Sequence, residues 1–179
     1  MDSKVIIDTQ TMYKTLARLS HEIIERNSDC QRILLVGIKR RGVSLAKIIK
    51  ENIEKFSPMK VDLTEIDITL YRDDLTERYA SPKINSQPDR MNVDGKTVVL
   101  VDDVIYTGRT ARAAMEAIIN MGRPAVIQLA VMIDRGHREL PINPNYVGKN
   151  IPTSKEEFVG VKVDEYDGIT EVVLSKKGN

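Results

Sequence analysis

Cysteine and aromatic residues are scarce in this sequence, and long apolar runs are missing. Its 179 residues include one cysteine, no tryptophan and two phenylalanines. The lone cysteine, Cys30, excludes an internal disulfide and a zinc site built from several cysteines. No apolar run approaches the roughly 20 residues that span a bilayer, and the first residues, MDSKVIID, lack the apolar centre of a signal peptide. We therefore expect a cytoplasmic protein that does not cross a membrane.

The sequence also lacks an excess of charge of one sign. Its 27 lysines and arginines nearly balance its 26 aspartates and glutamates, which gives a formal net charge of +1. A surface that binds nucleic acid would therefore have to be a local patch. The hydrophobic fraction of 41% is ordinary for a globular protein, and the length is sufficient for one buried core. We expect a single domain over residues 1–179.

Helical and strand-like patterns alternate along the chain. Apolar residues at helical spacing predict helices over about 9–27, 43–56 and 109–121, and short apolar or β-branched runs predict strands at 32–38, 60–71, 96–101 and 125–133, with short strands in FVGVKV and EVVL near the end. This alternation predicts an α/β fold with a mostly parallel sheet flanked by helices. In such sheets ligands bind at the carboxyl ends of the strands.

The segment VLVDDVIYTGRT, residues 99–110, places two acids and a hydroxyl-rich turn between a predicted strand and a predicted helix. A turn with Thr107 and Gly108 lets several backbone N–H groups converge at a helix N-terminus, which suits a phosphate. Asp102 and Asp103 suit a neighbouring group instead, either sugar hydroxyls or a hydrated cation such as Mg²⁺. The alternative is a capped turn in which the acids only charge the helix entrance.

A second loop, GIKRRG at residues 37–42, has the glycine spacing of a P-loop. That motif requires lysine and then serine or threonine after the second glycine, and Val43 and Ser44 occupy these places. Hydrolysis of a nucleoside triphosphate by a P-loop is therefore disfavoured. The consecutive basic residues suit a polyanion such as pyrophosphate, and the alternative is a solvated basic turn.

Residues 73–95 form a long polar stretch with two prolines, preceded by Tyr71 and Arg72. A loop of this length in a compact domain is functional or disordered. One interpretation is a flexible lid that excludes water from a reactive intermediate. An unstructured surface loop is the alternative.

These loops together resemble a known family. VVLVDDVIYTGRT resembles the binding signature of type I phosphoribosyltransferases, and GIKRRG resembles their pyrophosphate loop. EIDITLYRDDL, DRGHRELPI and VGKNIPTSKEE closely resemble the bacterial pyrimidine-operon regulators of this family that also have uracil phosphoribosyltransferase activity. The resemblance covers essentially the whole chain. It implies a type I phosphoribosyltransferase fold with a small hood and a flexible lid loop.

The resemblance also implies a reaction, in which uracil and 5-phosphoribosyl 1-pyrophosphate (PRPP) give UMP and pyrophosphate. Mg²⁺ would be carried by PRPP and reach Asp102 or Asp103 only through water. The implied catalytic residues are Asp102, Asp103 and Arg72, and Arg135 and Val159 would flank the base. The implied PRPP and nucleotide contacts are Lys39, Arg40, Arg41, Asp103, Val104, Ile105, Tyr106, Thr107, Gly108, Arg109, Thr110 and Ala111.

A second implied function is transcription attenuation through RNA. The family's regulators bind the leader mRNA of the pyrimidine operon when UMP or UTP is bound. Lys14, Arg18 and His21 lie opposite the apolar ridge of the first predicted helix, because steps of three and four residues return to one face. A solvated basic face is the alternative. By correspondence, the RNA-binding residues would be Arg18, His21, Arg26, His137, Arg138 and Lys149. A homodimer or larger homo-oligomer would merge such patches.

Three positions depart from the family's pattern, namely Ala17, Arg40 and Asn143, where familiar members carry threonine, threonine and a basic residue. Two alternatives to a bifunctional protein remain. One is a regulator that only binds nucleotide and RNA, and the other is a phosphoribosyltransferase for another base. A PRPP synthetase is disfavoured because such enzymes have two related domains.

Overall fold

The computed structural model describes residues 3–29, 32–68 and 92–176. Within them the helices are α1 (Thr9–Arg26), α2 (Arg41–Phe56), α3 (Arg109–Met121) and α4 (Asp164–Asp167). The strands are β1 (Ser3–Ile7), β2 (Arg32–Ile38), β3 (Lys60–Ile66), β4 (Thr97–Ile105), β5 (Val126–Asp134), β6 (Tyr146–Asn150), β7 (Glu157–Lys162) and β8 (Glu171–Lys176).

The strands form two sheets. The larger sheet has the order β3-β2-β4-β5-β6, and every neighbouring pair in it is parallel. The smaller sheet has the order β1-β8-β7 and is antiparallel. The larger sheet and its helices confirm the predicted α/β class, and the smaller sheet corresponds to the expected hood.

Alternate residues of the central strands face two separate cores. On one face, Leu35 and Val99 pack in the cluster that contains the buried residues of α1 and α2. On the other face, Val36 and Leu100 pack with the alanine-rich side of α3. Because both faces of β2 and β4 are covered, residues 33–38 of β2 and 98–101 of β4 form continuous apolar runs, which is the pattern of a parallel sheet.

A buried polar network fixes the end of α1 against the sheet. The Asn27 side chain donates to Gln128 Oε1 at 3.1 Å and accepts from Gln128 Nε2 at 3.0 Å. The Tyr146 hydroxyl donates to Gln128 Oε1 at 2.7 Å. These bonds join α1, β5 and β6, and each buried polar group has a partner, as a stable interior requires.

The predicted elements differ from the observed ones in several places. Strands β1 and β6 were not predicted, and α2 begins at Arg41 rather than at residue 43. The strand predicted over 60–71 ends at Ile66 within the described residues. The strand predicted over 96–101 continues to Ile105, because pairing with β5 continues as far as Ile105 and Asp134. Asp102 and Asp103 therefore belong to the strand itself and not to the loop after it.

Parts of the predictions lie outside the described residues. The catalytic candidate Arg72, its neighbour Tyr71 and most of the expected lid, residues 73–91, are among these. In the ranges that the structure covers, no helix is long and apolar enough to span a membrane.

Candidate active site

Three adjacent strands bring the predicted binding loops to one edge of the larger sheet. Strands β2, β4 and β5 are neighbours and run parallel, so their carboxyl ends meet. The basic loop follows β2, the hydroxyl-rich turn follows β4, and the DRGHREL segment begins at the end of β5. This is the edge at which α/β sheets bind ligands.

The turn between β4 and α3 forms a cradle at a helix N-terminus. Gly108 has φ +92°, a left-handed conformation that glycine adopts without steric cost. Immediately after it, Arg109 N donates to Thr107 Oγ1 at 3.3 Å, and α3 begins. The cavity here has a volume of about 430 Å³, and its lining includes Asp102, Val104, Ile105, Tyr106, Thr107, Gly108, Arg109, Thr110, Ala111 and Glu139. The structure thus places the predicted phosphate-binding residues around one cavity.

The two acids of β4 lie beside this cradle in a partly buried position. The Asp103 backbone N–H donates to Asp102 Oδ1 at 2.9 Å, and Val104 N donates to Asp103 Oδ1 at 2.8 Å. Burial raises the pKa of Asp102 well above its usual value, and the charge of Asp103 raises it further. Burial also raises the pKa of Asp103, although the Val104 N–H and Arg41 oppose this. A cationic ligand at this place would therefore favour the ionised carboxylates, which burial alone disfavours.

The glycines of the basic loop have a packing role. A Cβ on Gly42 would collide with the carbonyl oxygen of Val101, and a Cβ on Gly37 would lie 2.5 Å from Val43 Cα. Gly37 therefore allows the start of α2 to lie close to the end of β2, and Gly42 allows it to lie against β4, next to the acids. This explains their spacing without a P-loop function.

The three basic side chains of this loop have different surroundings. Lys39 Nζ forms a 3.0 Å ion pair with Glu65, and the peptide bond between Lys39 and Arg40 is cis. Arg40 is exposed. Arg41 turns to the hood, where its Nη2 lies 2.8 Å from Asp167 Oδ1.

The segment after β5 contacts the phosphate cradle directly. The buried Arg135 guanidinium lies 4.2 Å from the centroid of the Tyr106 ring and donates to Thr153 Oγ1 at 3.1 Å. Arg138 Nη1 donates to the Tyr106 carbonyl at 3.1 Å. Arg135, a predicted base contact, is therefore beside the cavity, and Val159, the other one, lies partly buried in β7 of the hood.

The structure brings Glu139, which no sequence motif marks as a site residue, to the cradle. Its carboxylate accepts from Arg109 Nε at 2.8 Å, and its backbone N–H donates to the Thr107 carbonyl at 2.9 Å. Leu140 N donates to the same carbonyl at 3.1 Å. In the sequence Glu139 is only an acid within DRGHREL. Its partner Arg109 is 30 residues away, so the pair can be recognised only in the folded chain.

The RNA-binding candidates of α1 and β6 lie close to one another. Arg18 Nη2 donates to the carbonyls of Val147 at 3.1 Å and Gly148 at 2.5 Å, and Lys149, the next residue of β6, is exposed. The exposed Arg26 lies over the Tyr146 ring at 5.8 Å. Arg18 therefore also joins α1 to β6, in addition to any contact with RNA.

The remaining RNA-binding candidates have other neighbours. His21, on the α2 side of α1, stacks on Phe56 with the ring centroids 4.4 Å apart. His137 Nε2 lies 2.6 Å from the Thr153 carbonyl oxygen, close to the edge of Tyr106. Arg138 makes its hydrogen bonds inside the fold, to Ile142, Tyr106 and Asp134. The candidates thus divide between the α1–β6 surface, the α1–α2 surface and the segment after β5.

Comparison with known families identifies this arrangement. The model of the family described as phosphoribosyl transferase domain matches residues 3–166. The chain belongs to the phosphoribosyltransferase family. Within it, the curated relatives include the "Bifunctional protein PyrR" of Caldicellulosiruptor bescii, 54% identical over 97% of this chain and 95% of the relative. The "Bifunctional protein PyrR" of Clostridium kluyveri is 57% identical over 95% of this chain and 96% of the relative. These matches confirm the predicted membership and place the chain among the PyrR-type phosphoribosyltransferases.

Solved structures of other phosphoribosyltransferases share the fold. A hypoxanthine phosphoribosyltransferase of Trypanosoma cruzi, in a mutant form complexed with its ternary substrates, superposes with a TM-score of 0.76 at 18% identity and covers 97% of this chain and 95% of its own. A hypoxanthine phosphoribosyltransferase of Staphylococcus aureus gives a TM-score of 0.71 at 17% identity and covers 97% of this chain and 92% of its own. At such low identity the likeness concerns the fold alone.

Proposed function

We propose that this PyrR-type phosphoribosyltransferase transfers a phosphoribosyl group from PRPP to uracil and, with UMP or UTP bound, attenuates the pyrimidine operon through its leader RNA. One observation carries the enzymatic part of this proposal. A helix-terminal phosphate cradle, two carboxylates and a basic loop meet at a single sheet edge. These three features match the 5′-phosphate, the ribose hydroxyls and the pyrophosphate of PRPP in turn.

In the reaction, the bond from the sugar C1 to pyrophosphate breaks, a bond from C1 to the uracil nitrogen forms, and the proton of that nitrogen is released. The backbone N–H groups of Thr107 to Thr110 would bind the 5′-phosphate at the start of α3. Asp102 and Asp103 would accept the ribose hydroxyls and stabilise positive charge on the sugar as pyrophosphate leaves. The protein contributes mainly position and electrostatics.

The acid pair and the basic loop also suit a magnesium ion carried by PRPP. Carboxylate oxygens are ligands that Mg²⁺ accepts, and it keeps several waters, so the partly buried Asp102 or Asp103 would contact it through water. Magnesium would neutralise charge on the leaving pyrophosphate. Among residues 3–29, 32–68 and 92–176 no group of three or more His, Cys, Asp or Glu is placed to bind a metal.

The regulatory part of the proposal is supported by exposed basic residues on adjoining elements. Arg18, Arg26 and Lys149 belong to α1 and β6, which pack together. A neighbouring subunit in a homodimer or larger assembly would extend this patch. We place both activities in the bacterial cytoplasm, where nucleotides and nascent transcripts meet.

Steady-state assays of uracil, hypoxanthine and orotate with magnesium PRPP test the enzymatic part. We expect UMP to form from uracil and the other two bases to react at least ~100-fold more slowly, because a base site built on hydrogen bonds rejects a mismatched ligand strongly. Preference for hypoxanthine or orotate would assign the protein to another base. Binding of UMP without turnover of any base would leave a nucleotide-sensing regulator that has no transferase activity.

A further inference from the structure

The short helix α4 of the hood contacts the beginning of α2 through two separate acids. Arg41 pairs with Asp167, whereas Lys47 Nζ lies 2.9 Å from Glu165, which also accepts a hydrogen bond from Ser44. Both pairs join the same two elements. They differ in place, because Arg41 is the first residue of α2 and belongs to the basic loop, while Lys47 lies nearly two turns further along the helix.

The pair of Arg41 and Asp167 has a defined geometry. Arg41 Nε donates to Asp167 Oδ2 at 3.1 Å, and Arg41 Nη2 donates to Asp167 Oδ1 at 2.8 Å. Asp167 Oδ2 also accepts from the Val163 backbone N–H at 2.9 Å, and the side chain of Asp167 is only 18% exposed. Such a two-bond fork fixes both the position and the plane of a guanidinium group.

The fork leaves part of the guanidinium available to a ligand. Arginine has five N–H donors, and Asp167 accepts from only two of the nitrogen atoms. The charge of Asp103 reaches Arg41 and contributes to the raised pKa of its guanidinium, after the larger effect of Asp167. A Cβ on the adjacent Gly42 would lie 3.3 Å from Asp102 Cα, so Arg41 lies between the acid pair of β4 and Asp167 of the hood. In the proposed reaction this is where pyrophosphate leaves the ribose.

We propose that Asp167 is a positioning residue for the pyrophosphate of PRPP, and that it acts by holding Arg41 in one place between the hood and the acid pair of β4. This inference rests on the proposed function. Asp167 touches neither substrate. It holds the arginine in the bound orientation before PRPP arrives, so that PRPP does not bear the entropic cost of ordering a long side chain.

The competing explanation is that Asp167 only docks the hood onto α2. A variant of Glu165 distinguishes this structural role from the positioning role. Asp167→Asn and Glu165→Gln each remove one acid from the same interface between α4 and α2, so both weaken docking. Only Asp167→Asn releases Arg41. Glu165→Gln is therefore the matched control, and thermal unfolding shows whether the two variants lose similar stability.

The experiment measures KM for PRPP, KM for uracil and kcat for wild type, D167N, D167E and E165Q. We expect D167N to raise KM for PRPP about tenfold, as for loss of a charge-assisted contact, with KM for uracil unchanged. D167E should recover part of the effect, and E165Q should behave as wild type. Equal effects of D167N and E165Q, or an unchanged KM for PRPP in D167N, would refute the positioning role.

Calorimetric titration with magnesium pyrophosphate keeps this test separate from the proposed activity. If wild type converts no base, the proposed transferase function fails, but the titration still measures how well Arg41 is oriented. We expect the Kd for pyrophosphate to rise in D167N and not in E165Q. Equal Kd values in wild type and D167N would overturn the inference even if the enzyme is active.

Discussion

The carboxylate of Glu139 lies 2.8 Å from Arg109 Nε at the entrance to the phosphate cradle. Arg109 is the first residue of α3, and a phosphate at that helix N-terminus would attract its guanidinium. Glu139 and a bound phosphate therefore compete for the same cation. Both side chains are substantially exposed, so the ion pair is weak and lowers the affinity for phosphate only modestly.

Removing this competitor should strengthen nucleotide binding. We expect Glu139→Gln to lower the Kd for UMP about threefold at low salt, with a smaller gain at high salt because screening already weakens the pair. Calorimetric titration with UMP measures the effect. Glu116→Gln is the matched control, since Glu116 pairs with Arg112 on the next turn of α3. A Kd that is unchanged or higher in E139Q would show that Glu139 does not oppose the phosphate.

Asp102→Asn should separate activity from stability. We expect kcat/KM to fall ~100-fold or more, the magnitude typical of a lost electrostatic contact in the transition state. At the same time the free protein should unfold at a higher temperature at neutral pH, because the variant removes a charge that burial and Asp103 disfavour. A variant that is active, or that loses stability at neutral pH, would contradict the role assigned to the acid.

The pH dependence of this stability gain has a defined sign. For an acid whose pKa is raised in the folded state, the contribution to the free energy of unfolding is greatest below the usual pKa of 3.8 and decreases as the pH rises through the raised value. The advantage of Asp102→Asn should therefore shrink as the pH is lowered toward about 4. Thermal melts between about pH 4 and pH 8 measure it, with Asp62→Asn on β3 as a control for a half-buried carboxylate.

Gly42→Ala should damage both stability and PRPP binding. Its new Cβ would collide with the Val101 carbonyl, so α2 would have to move away from β4. We expect a loss of about 1–3 kcal/mol in the free energy of unfolding, as for overpacking in other cores, and a raised KM for PRPP. Gly160→Ala is the control, since its Cβ meets only a methyl group of Val173 at 3.3 Å. Urea denaturation that shows equal stabilities for the two variants would contradict this account.

The proposed RNA-binding surface of α1 and β6 can be tested by salt titration. Lys149→Gln removes an exposed charge of β6 and should reduce the slope of log affinity against log salt by roughly one for leader RNA in the presence of UMP. Transferase activity should be preserved. Arg18→Gln should show the same change in slope together with reduced stability, because Arg18 also donates to β6. Slopes equal to that of wild type would identify this surface as an ordinary solvated face.

The sequence predicted the elements with strong periodicity, because their signals are local. The ridge from Met12 to Ile23 and the apolar run of β2 specify their own burial, and both confirm the predicted α/β fold. The edge strand β6 was not predicted, because YVGKN is short and contains a glycine and a charged residue. Its pairing with β5 is a property of the sheet and not of those five residues.

The site was predictable where chemistry follows from neighbours in the chain. Residues 102–111 carry acids, hydroxyls and a glycine in one stretch, and the structure places most of them around one cavity. The contacts of Asp167 and Glu139 could not be found in this way, because each pairs with an arginine that is distant in sequence. Only the folded structure reveals the contacts of the hood with α2 and those of the segment after β5 with the cradle.

The Thr107 carbonyl accepts hydrogen bonds from two consecutive backbone N–H groups, those of Glu139 and Leu140. The cradle and the segment that carries His137 are therefore connected directly by backbone hydrogen bonds. If bound UMP increases the protein's affinity for the leader RNA through these hydrogen bonds, thermodynamic reciprocity requires bound RNA to increase the protein's affinity for UMP by the same factor. The transcript would then be an effector of the nucleotide site, and bound leader RNA would raise the affinity for UMP, the product of the proposed transfer.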